Sequence, residues 1–272
     1  MAAAFLPRQV VPSVNSMESS STLVELHTIE KMREAELEEA RELQQMMLPK
    51  VFLHTATVTI GHEFHPIAGV GGDFLDYFEM PDGTLGLFLG DVMGKGLPAA
   101  LYAALAVGTL HGVHKTSTSP SDVLATLNRR LMIRGMPKRH TSLQYAVFDP
   151  VTGKLTMAGA GMAGPVHMGV DGCSLLELPG VPPGLFAGSN YESVTFQLRL
   201  RDSVLFFTDG VGDAFNVEDD QFGMERVLEV CQRHCKRPPI EVLHMVFAAV
   251  NAYSKGREQQ DDMTAVMLHV SK

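Results

Sequence analysis

Acidic residues stand at the ends of apolar runs at four separate places in the chain, and this pattern constrains the fold most strongly. Two of them close the apolar runs 85–90 and 204–208, one precedes the run 263–268, and one follows a pair of glycines. A buried carboxylate without a partner is costly, and neighbouring glycines let backbone or a metal approach closely. We therefore expect these strand ends to converge on one opening. The residues are Asp73, Asp91, Asp209 and Asp261, with Asp262 beside the last.

Four carboxylates in one opening would repel each other unless cations balance their charge. Two divalent cations would do so, and oxygen ligands favour hard ions such as Mn²⁺ or Mg²⁺, which keep several waters. A water held between two such ions is a strong nucleophile at neutral pH, suited to in-line attack on phosphorus. The sequence offers no convincing Cys or Ser nucleophile motif. The alternative, in which each Asp only caps a turn, explains one Asp-Gly more easily than four strand ends.

The rest of the chain predicts a mixed α+β fold. Short β-like runs are separated by turn signals such as Pro81-Asp82-Gly83, and short turns between strands indicate antiparallel pairing. The predicted strands are 56–64, 85–91, 142–149, 154–158, 193–200, 203–208 and 264–270. The predicted helices are 98–113, 120–134, 224–235 and 239–254. We see no internal repeat and treat residues 51–272 as one domain.

The segment before this domain has a different composition. Residues 21–50 are rich in Glu, Leu, Met and Gln, lack Gly and Pro until Pro49, and carry apolar residues at helical spacing, which predicts an amphipathic linker or regulatory helix. Its length suggests pairing with a second copy, although packing on its own domain is the simpler alternative. Residues 1–20 are rich in Ser, Pro, Ala and Val without a period, and we expect them to be disordered.

Composition excludes several other classes of protein. The net charge of −9 argues against a non-specific nucleic-acid binder. Three cysteines are too few for a disulfide framework, so a reducing, cytoplasmic compartment is expected. Cys231 and Cys235 flank His234, but a fourth zinc ligand is missing, and free thiols are favoured. The first residues lack the features of a leader. The apolar window 97–113 is too short for a bilayer and is expected to be a core helix.

At this point the motifs resemble those of the PPM-type metal-dependent serine/threonine protein phosphatases, in the bacterial SpoIIE/RsbU branch. The matching segments, which run in the family's order from residue 40 to residue 270, are Glu42-Leu-Gln-Gln-Met-Met-Leu-Pro, Gly71-Gly-Asp-Phe-Leu-Asp, Gly90-Asp-Val-Met-Gly-Lys-Gly-Leu-Pro-Ala-Ala, Thr208-Asp-Gly-Val with the later Phe222-Gly, and Asp261-Asp-Met-Thr. The resemblance implies two packed antiparallel β-sheets flanked by helices, an α-β-β-α sandwich, with a dinuclear metal site at one end.

The resemblance also implies a role for each acidic residue. Asp91 would bridge both ions, Asp73 would bind one ion, and Asp209 with Asp261 would bind the other, while the backbone carbonyl of Val92 completes a site. These ligands would act in catalysis through the ions.

Three further positions stand beside this implied set. Asp262 is expected to be a neighbour of a ligand rather than a ligand. Lys95 either attracts the phosphate or caps the glycine turn. Met162 stands where many relatives have His, outside the implied ligand set, and the phosphate-binding Arg of eukaryotic relatives has no evident counterpart.

The implied substrate is a phosphoserine or phosphothreonine on an anti-sigma-factor antagonist in a partner-switching pathway. Two alternatives remain. A nucleotide cyclase would explain the segment 71–74 but not the motifs at Asp209 and Asp261. A catalytically weak module that uses the fold to bind a partner would be favoured by loss of a metal-binding Asp, and all four are present.

Overall fold

The computed structural model describes residues 16–67, 69–114, 119–133 and 139–271, with side chains from residue 25. The chain divides into two units, residues 1–39 and 40–272. The first helix, α1 (Ser16–Met47), begins in the first unit and ends in the second. It starts before the predicted Ser21 because neither Gly nor Pro interrupts the segment from Ser16. It ends before Pro49, which disfavours helical backbone at the residue preceding it. Disorder was predicted for residues 1–20, but residues 16–20 belong to α1, and residues 1–15 lie outside the described residues.

The second unit contains two antiparallel sheets, as predicted. Its elements are β1 (Phe52–His54), β2 (Val58–His65), β3 (Phe74–Glu79), β4 (Leu85–Val92), α2 (Leu97–Val113), α3 (Pro120–Met132), β5 (Thr141–Asp149), β6 (Lys154–Ala160), β7 (Val166–Gly169), β8 (Gly172–Leu175), β9 (Val194–Gln197), β10 (Ser203–Phe207), α4 (Asp209–Gly212), α5 (Gly223–His234), α6 (Pro239–Tyr253) and β11 (Met263–Val270). One sheet has the order β1-β2-β11-β10-β7-β8, and the other has the order β3-β4-β5-β6-β9.

Three apolar clusters hold these layers together. The first lies between the sheets and includes Leu87, Phe206 and Val266. The second, with Phe88, lies between the five-stranded sheet and the helices α2 and α3. The third, with Phe207, lies between the six-stranded sheet and the helices α5 and α6. Consecutive residues of β4 and of β10 therefore face different layers, and the predicted α-β-β-α sandwich is confirmed.

Local chemistry explains where the strands turn. The carboxylate of Asp82 accepts hydrogen bonds from the backbone and hydroxyl of Thr84, between β3 and β4. Asp149 accepts in the same way from Thr152 between β5 and β6, and Gly153 follows with a φ of +69°, which favours glycine. The sequence predicted turns at both places, although it did not predict strand β3 before the first of them.

Most predicted elements are confirmed, while four strands and one short helix were not predicted. The missed strands β1, β7 and β8 have three or four residues each, too few for an alternating pattern to be visible. Strand β3 has the sequence Phe74-Leu-Asp-Tyr-Phe-Glu, which does not alternate strictly between apolar and polar residues. Its polar Asp76 accepts a 2.7 Å hydrogen bond from His111 of α2. The missed helix α4 is a single turn. The third helix was predicted to reach Arg134, which lies outside the described residues.

In the parts of the chain that the structure describes, no helix combines the length and the hydropathy needed to span a bilayer. The apolar window 97–113 is the helix α2, as expected. Its residues Ala103, Ala106 and Leu110 are buried in the second cluster.

Candidate metal centre

The four predicted aspartates lie at the ends of strands from both sheets. Asp73 directly precedes β3, and Asp91 is the last residue but one of β4. Both strands belong to the five-stranded sheet. Asp209 follows β10 as the first residue of α4, and Asp261 lies two residues before β11, both on the six-stranded sheet. The opening is graded in depth: Asp73 is buried, Asp91 and Asp261 are partly exposed, and Asp209 is exposed at the rim.

Asp73 at the base of this opening links the two sheets. One oxygen of its carboxylate accepts hydrogen bonds from the hydroxyls of Thr208 at 2.8 Å and Thr264 at 2.5 Å. Thr208 and Thr264 belong to the opposite sheet and are fully buried. The hydroxyl of Thr208 also accepts a 3.0 Å hydrogen bond from the backbone N–H of Thr264. The second oxygen of Asp73 takes no part in these threonine hydrogen bonds.

The carboxylates disfavour each other's charge. Burial and the nearby Asp91 raise the pKa of Asp73 well above its ordinary value, against the opposing effect of the two threonine hydrogen bonds. Burial, Asp209 and Asp261 raise the pKa of Asp91 to about 7. Desolvation and Asp261 raise the pKa of Asp209. Such a group of mutually repelling oxygens is stabilised by a cation.

Val92 and Gly72 border the same opening. A Cβ added at Gly72 would lie 2.8 Å from the carbonyl oxygen of Val92 and 3.2 Å from a carboxylate oxygen of Asp91. The position therefore admits only glycine, and both oxygens face the space beside it. The backbone N–H of Val92 donates to the carbonyl of Gly72 at 3.3 Å, which joins the loop before β3 to the end of β4.

Asp262 differs from its neighbour Asp261 in burial and in partners. It is buried, and its two carboxylate oxygens accept hydrogen bonds from the backbone N–H groups of Ile67 at 2.8 Å and Gly72 at 2.6 Å. Both oxygens are thus used to hold the loop that leads to Asp73. That Asp262 is a neighbour of a ligand rather than a ligand stays a prediction.

Lys95 contacts the Asp261 segment. Its Nζ donates a hydrogen bond to the carbonyl of Gln260 and lies 3.5 Å from the carboxylate of Asp261. A cleft of about 350 Å³ adjoins this point, lined among others by Lys95, Asp213, Phe215, Ser254, Lys255 and Asp261. Lys95 is half exposed at the edge of the cleft, so its ammonium group can meet an anion that enters there.

Met162, which stands where many relatives have His, lies outside the opening. Its side chain is partly buried against the cluster between the sheets, where it fills space and offers no oxygen donor. The substitution noted in the sequence therefore affects packing beside β6.

Sequence reasoning missed several residues of this region. Thr208 and Thr264 lie within the recognised motifs, but their role depends on pairing between two distant strands. Asp213 follows Asp209 by one helical turn, and Asp261 together with burial raises its pKa. The spacing Asp-x-x-x-Asp across α4 was the signal that could have identified it, because residues at i and i+4 share a helix face.

The donor set fits hard divalent cations, since it consists of carboxylate and carbonyl oxygens. Among the residues that the structure describes, no three His, Cys, Asp or Glu side chains form a group that could hold a metal ion, either at the aspartates or around Cys231. Mg²⁺ and Mn²⁺ sites commonly use one or two carboxylates and several waters.

Comparison with known proteins identifies the family. The family model of stage II sporulation protein E (SpoIIE) matches residues 81–271, which is more than half of the chain. The chain belongs to the SpoIIE family. The matched range contains Asp91, Asp209 and Asp261, and Asp73 lies just before it.

Two curated relatives show how much of a longer protein this chain resembles. Protein IcfG of Synechocystis is 24% identical over 277 residues, covering 91% of this chain and 43% of the relative. Phosphoserine phosphatase RsbU of Bacillus subtilis is 26% identical over 188 residues, covering 68% of this chain and 56% of the relative. The chain thus spans about half the length of these relatives.

Solved structures of PP2C-type phosphatases have the same fold. The SiaA-PP2C domain of Pseudomonas aeruginosa superposes with a TM-score of 0.77 at 21% identity, covering 88% of this chain and 97% of that one. The catalytic domain of the phosphatase PstP, in complex with two manganese ions, superposes with a TM-score of 0.57 at 13% identity, covering 79% and 99%. This SpoIIE-family chain therefore has the PP2C-type fold.

Proposed function

We propose that this chain hydrolyses phosphoserine or phosphothreonine on a protein substrate with the aid of two divalent cations, Mn²⁺ or Mg²⁺. The observation that carries the proposal is the set of strand-end carboxylates around Asp73, whose pKa values are raised by burial and mutual repulsion. Bound ions would lower the pKa of a water and polarise the phosphoryl group. Binding of the ions would also neutralise the repulsion between these carboxylates.

The ligand roles follow the motifs and the depth of each residue. Asp91, central and partly exposed, would bridge both ions. Asp73 would bind one ion through the oxygen that its threonine partners leave available, with the Val92 carbonyl beside it. Asp209 and Asp261, at the rim, would bind the other. Lys95 lies where it can attract the phosphate of an incoming substrate.

We propose as substrate a phosphorylated anti-sigma-factor antagonist in a partner-switching pathway of the cytoplasm. Similarity to phosphoserine phosphatase RsbU supports this substrate class. The open cleft beside Asp261 supports a protein substrate, since it leaves room for chain on one side of the phosphate. Free thiols at all three cysteines support a reducing compartment.

The proposal predicts phosphate release that depends on metal. Phosphorylated antagonist proteins and a generic phosphate ester should both release phosphate with Mn²⁺ or Mg²⁺, and EDTA should stop the reaction until metal is added back. Because water-rich sites bind weakly, dialysis should remove at least one ion. Phosphate release that is indifferent to EDTA would contradict the mechanism. Binding of the antagonist without any phosphate release would instead support the non-catalytic alternative.

We also propose that α1 regulates the domain and mediates a homodimer. The end of this helix is anchored in the second unit, where Met47 packs against the cluster under α2 and α3 and Leu48 packs against the cluster between the sheets. Methionine adapts to more than one packing arrangement. Leu43, one turn before, is 58% exposed and is available to a partner helix.

Deleting residues 1–40, or replacing Leu43 and Met47 with polar residues, should change the catalytic rate or the metal requirement and should shift any dimer toward monomer. Light scattering gives the mass, and phosphate release over a Mn²⁺ titration gives the kinetics. Leu200→Ser is a matched control, because Leu200 is also 58% exposed. If both variants fold and match the parent in mass, rate and metal dependence, α1 is only a tether.

A further inference from the structure

Gln44, in the last turns of α1, holds the loop that leads to Asp73. Its side-chain Nε2 donates a 2.8 Å hydrogen bond to the carbonyl of Gly71. Its Oε1 accepts a 3.0 Å hydrogen bond from the N–H of the same glycine. The amide of Gln44 thus pairs with both backbone groups of one residue, 27 positions along the chain. Two parallel hydrogen bonds fix orientation as well as distance.

The same loop is fixed from two other directions. Asp262, beside β11, accepts from the N–H groups of Ile67 and Gly72, and the carbonyl of Gly72 accepts from Val92 of β4. A Cβ added at Gly71 would lie 2.3 Å from a carboxylate oxygen of Asp262, so this side has no spare room. Gly71 has no side chain, and its position therefore depends on contacts to its backbone. Gln44 supplies a bond to each of its polar groups.

The consequence for the candidate metal centre lies at Gly72. Gly72 packs against the Val92 carbonyl and the Asp91 carboxylate so closely that a Cβ would not fit. Because Gly72 has no Cβ, both oxygens stay uncovered. Asp73 is held from the far side by Thr208 and Thr264. On the near side, Asp262 holds the N–H of Gly72, and Gln44 holds both backbone groups of Gly71. Release of Gly71 would let the loop shift across the oxygens it borders.

We infer that Gln44 is a positioning residue for the metal centre: by holding Gly71 it keeps the Val92 carbonyl and the Asp91 and Asp73 carboxylates facing one space. The inference rests on the proposed metal-dependent function. The contact between α1 and the loop is then made by Gln44 and Gly71, whereas the side chains of Met47 and Leu48 pack without hydrogen bonds to the loop. Gln44 acts through Gly71 and does not itself contact a reacting atom.

The test compares Gln44→Ala and Gln44→Met with Gln45→Ala. Gln44→Met keeps the length and packing of the side chain while removing both hydrogen bonds, so it remains informative if the alanine variant folds poorly. Gln45 is exposed on the same turn, and its replacement controls for helix propensity. Calorimetric titration with Mn²⁺ in the absence of substrate measures the dissociation constant of Mn²⁺ directly. The Mn²⁺ concentration for half-maximal phosphate release and kcat at saturating Mn²⁺ are measured in parallel.

We expect both Gln44 variants to raise the Mn²⁺ dissociation constant about tenfold, which corresponds to the loss of about one net hydrogen bond to a structured loop. Saturating Mn²⁺ should restore most of kcat. General destabilisation would not lower Mn²⁺ affinity while leaving kcat at saturation nearly unchanged. Gln45→Ala should bind Mn²⁺ like the parent. Parent-like Mn²⁺ affinity in folded Gln44→Met overturns the inference while the proposed function stands. A parent protein that neither binds Mn²⁺ nor releases phosphate overturns both.

Discussion

Replacing Asp91 with Asn is expected to reduce metal-dependent phosphate release to the level of a control without enzyme, while the fold remains intact. Asp91 would bridge both ions, and an amide carries no charge to balance them. Neighbouring carboxylates cannot replace it, since Asp73, Asp209 and Asp261 would each already bind one of the ions. Phosphate release from a phosphorylated antagonist protein at saturating Mn²⁺ measures the effect, and far-UV circular dichroism checks the fold.

Asp171→Asn is the matched control for this variant. Asp171 lies in the turn between β7 and β8, its side chain is 90% exposed, and its ion-pair partner at 3.5 Å is the exposed Arg199. The same change of chemistry at this position should leave phosphate release unchanged. Retention of most of the parent's activity by Asp91→Asn would disprove the bridging role.

The same Asp91→Asn substitution is expected to stabilise the metal-free protein, in a manner that depends on pH. Burial and neighbouring carboxylates raise the folded-state pKa of Asp91 to about 7, from an ordinary value of 3.8. Above pH 7 the metal-free fold therefore holds a charge that its surroundings disfavour, at a cost on the order of 2–4 kcal/mol. Asn does not carry this charge. At pH 8 the free energy of unfolding of the variant should exceed that of the parent by this amount.

Lowering the pH removes the advantage. As pH falls from 7 toward 4, Asp91 takes up a proton in the folded parent, and the cost of its charge disappears. The difference between variant and parent should therefore shrink steadily between pH 7 and pH 5. Urea unfolding in EDTA, followed by circular dichroism, measures both proteins. Taking the difference between the two proteins cancels the contributions of His62 and His269, whose lowered pKa values affect both proteins alike.

Added Mn²⁺ gives the opposite ranking. A ligand that binds only the folded state stabilises it, so the parent should gain stability from Mn²⁺ at pH 8 and Asp91→Asn should gain much less. A stability difference that is constant over pH, or a variant less stable than the parent in EDTA, would contradict a repulsive carboxylate cluster.

The sequence predicted the acidic residues well because each follows a strong local signal. An apolar run that ends in Asp beside Gly indicates a strand end, and convergence follows when the strands pack. Asp73, Asp91, Asp209 and Asp261 are indeed at the ends of strands in the two packed sheets. Their assignment as metal ligands stays a prediction, which the Asp91→Asn variant tests.

What the sequence did not predict depends on contacts between distant residues. Thr264 and Asp73 are 191 positions apart, and nothing local to either marks their hydrogen bond. Gln44 resembles any other polar residue on a helix until Gly71 is placed beside it. The strands β7 and β8 are too short to show a period, and they exist because each pairs with a neighbour in the six-stranded sheet. Tertiary pairing decides such elements.

Because of the hydrogen bonds from Thr208 and Thr264 to Asp73, the candidate metal centre forms only when the strands pair in the native register. Successive side chains of a strand point to opposite faces, so a slip of one residue between β10 and β11 would turn Thr264 away from Asp73. The two sheets would then meet with an unsatisfied carboxylate between them, and a misaligned molecule would lack the centre altogether. Catalytic competence therefore reports correct assembly: during refolding, activity should return only in molecules whose strands have found their native alignment.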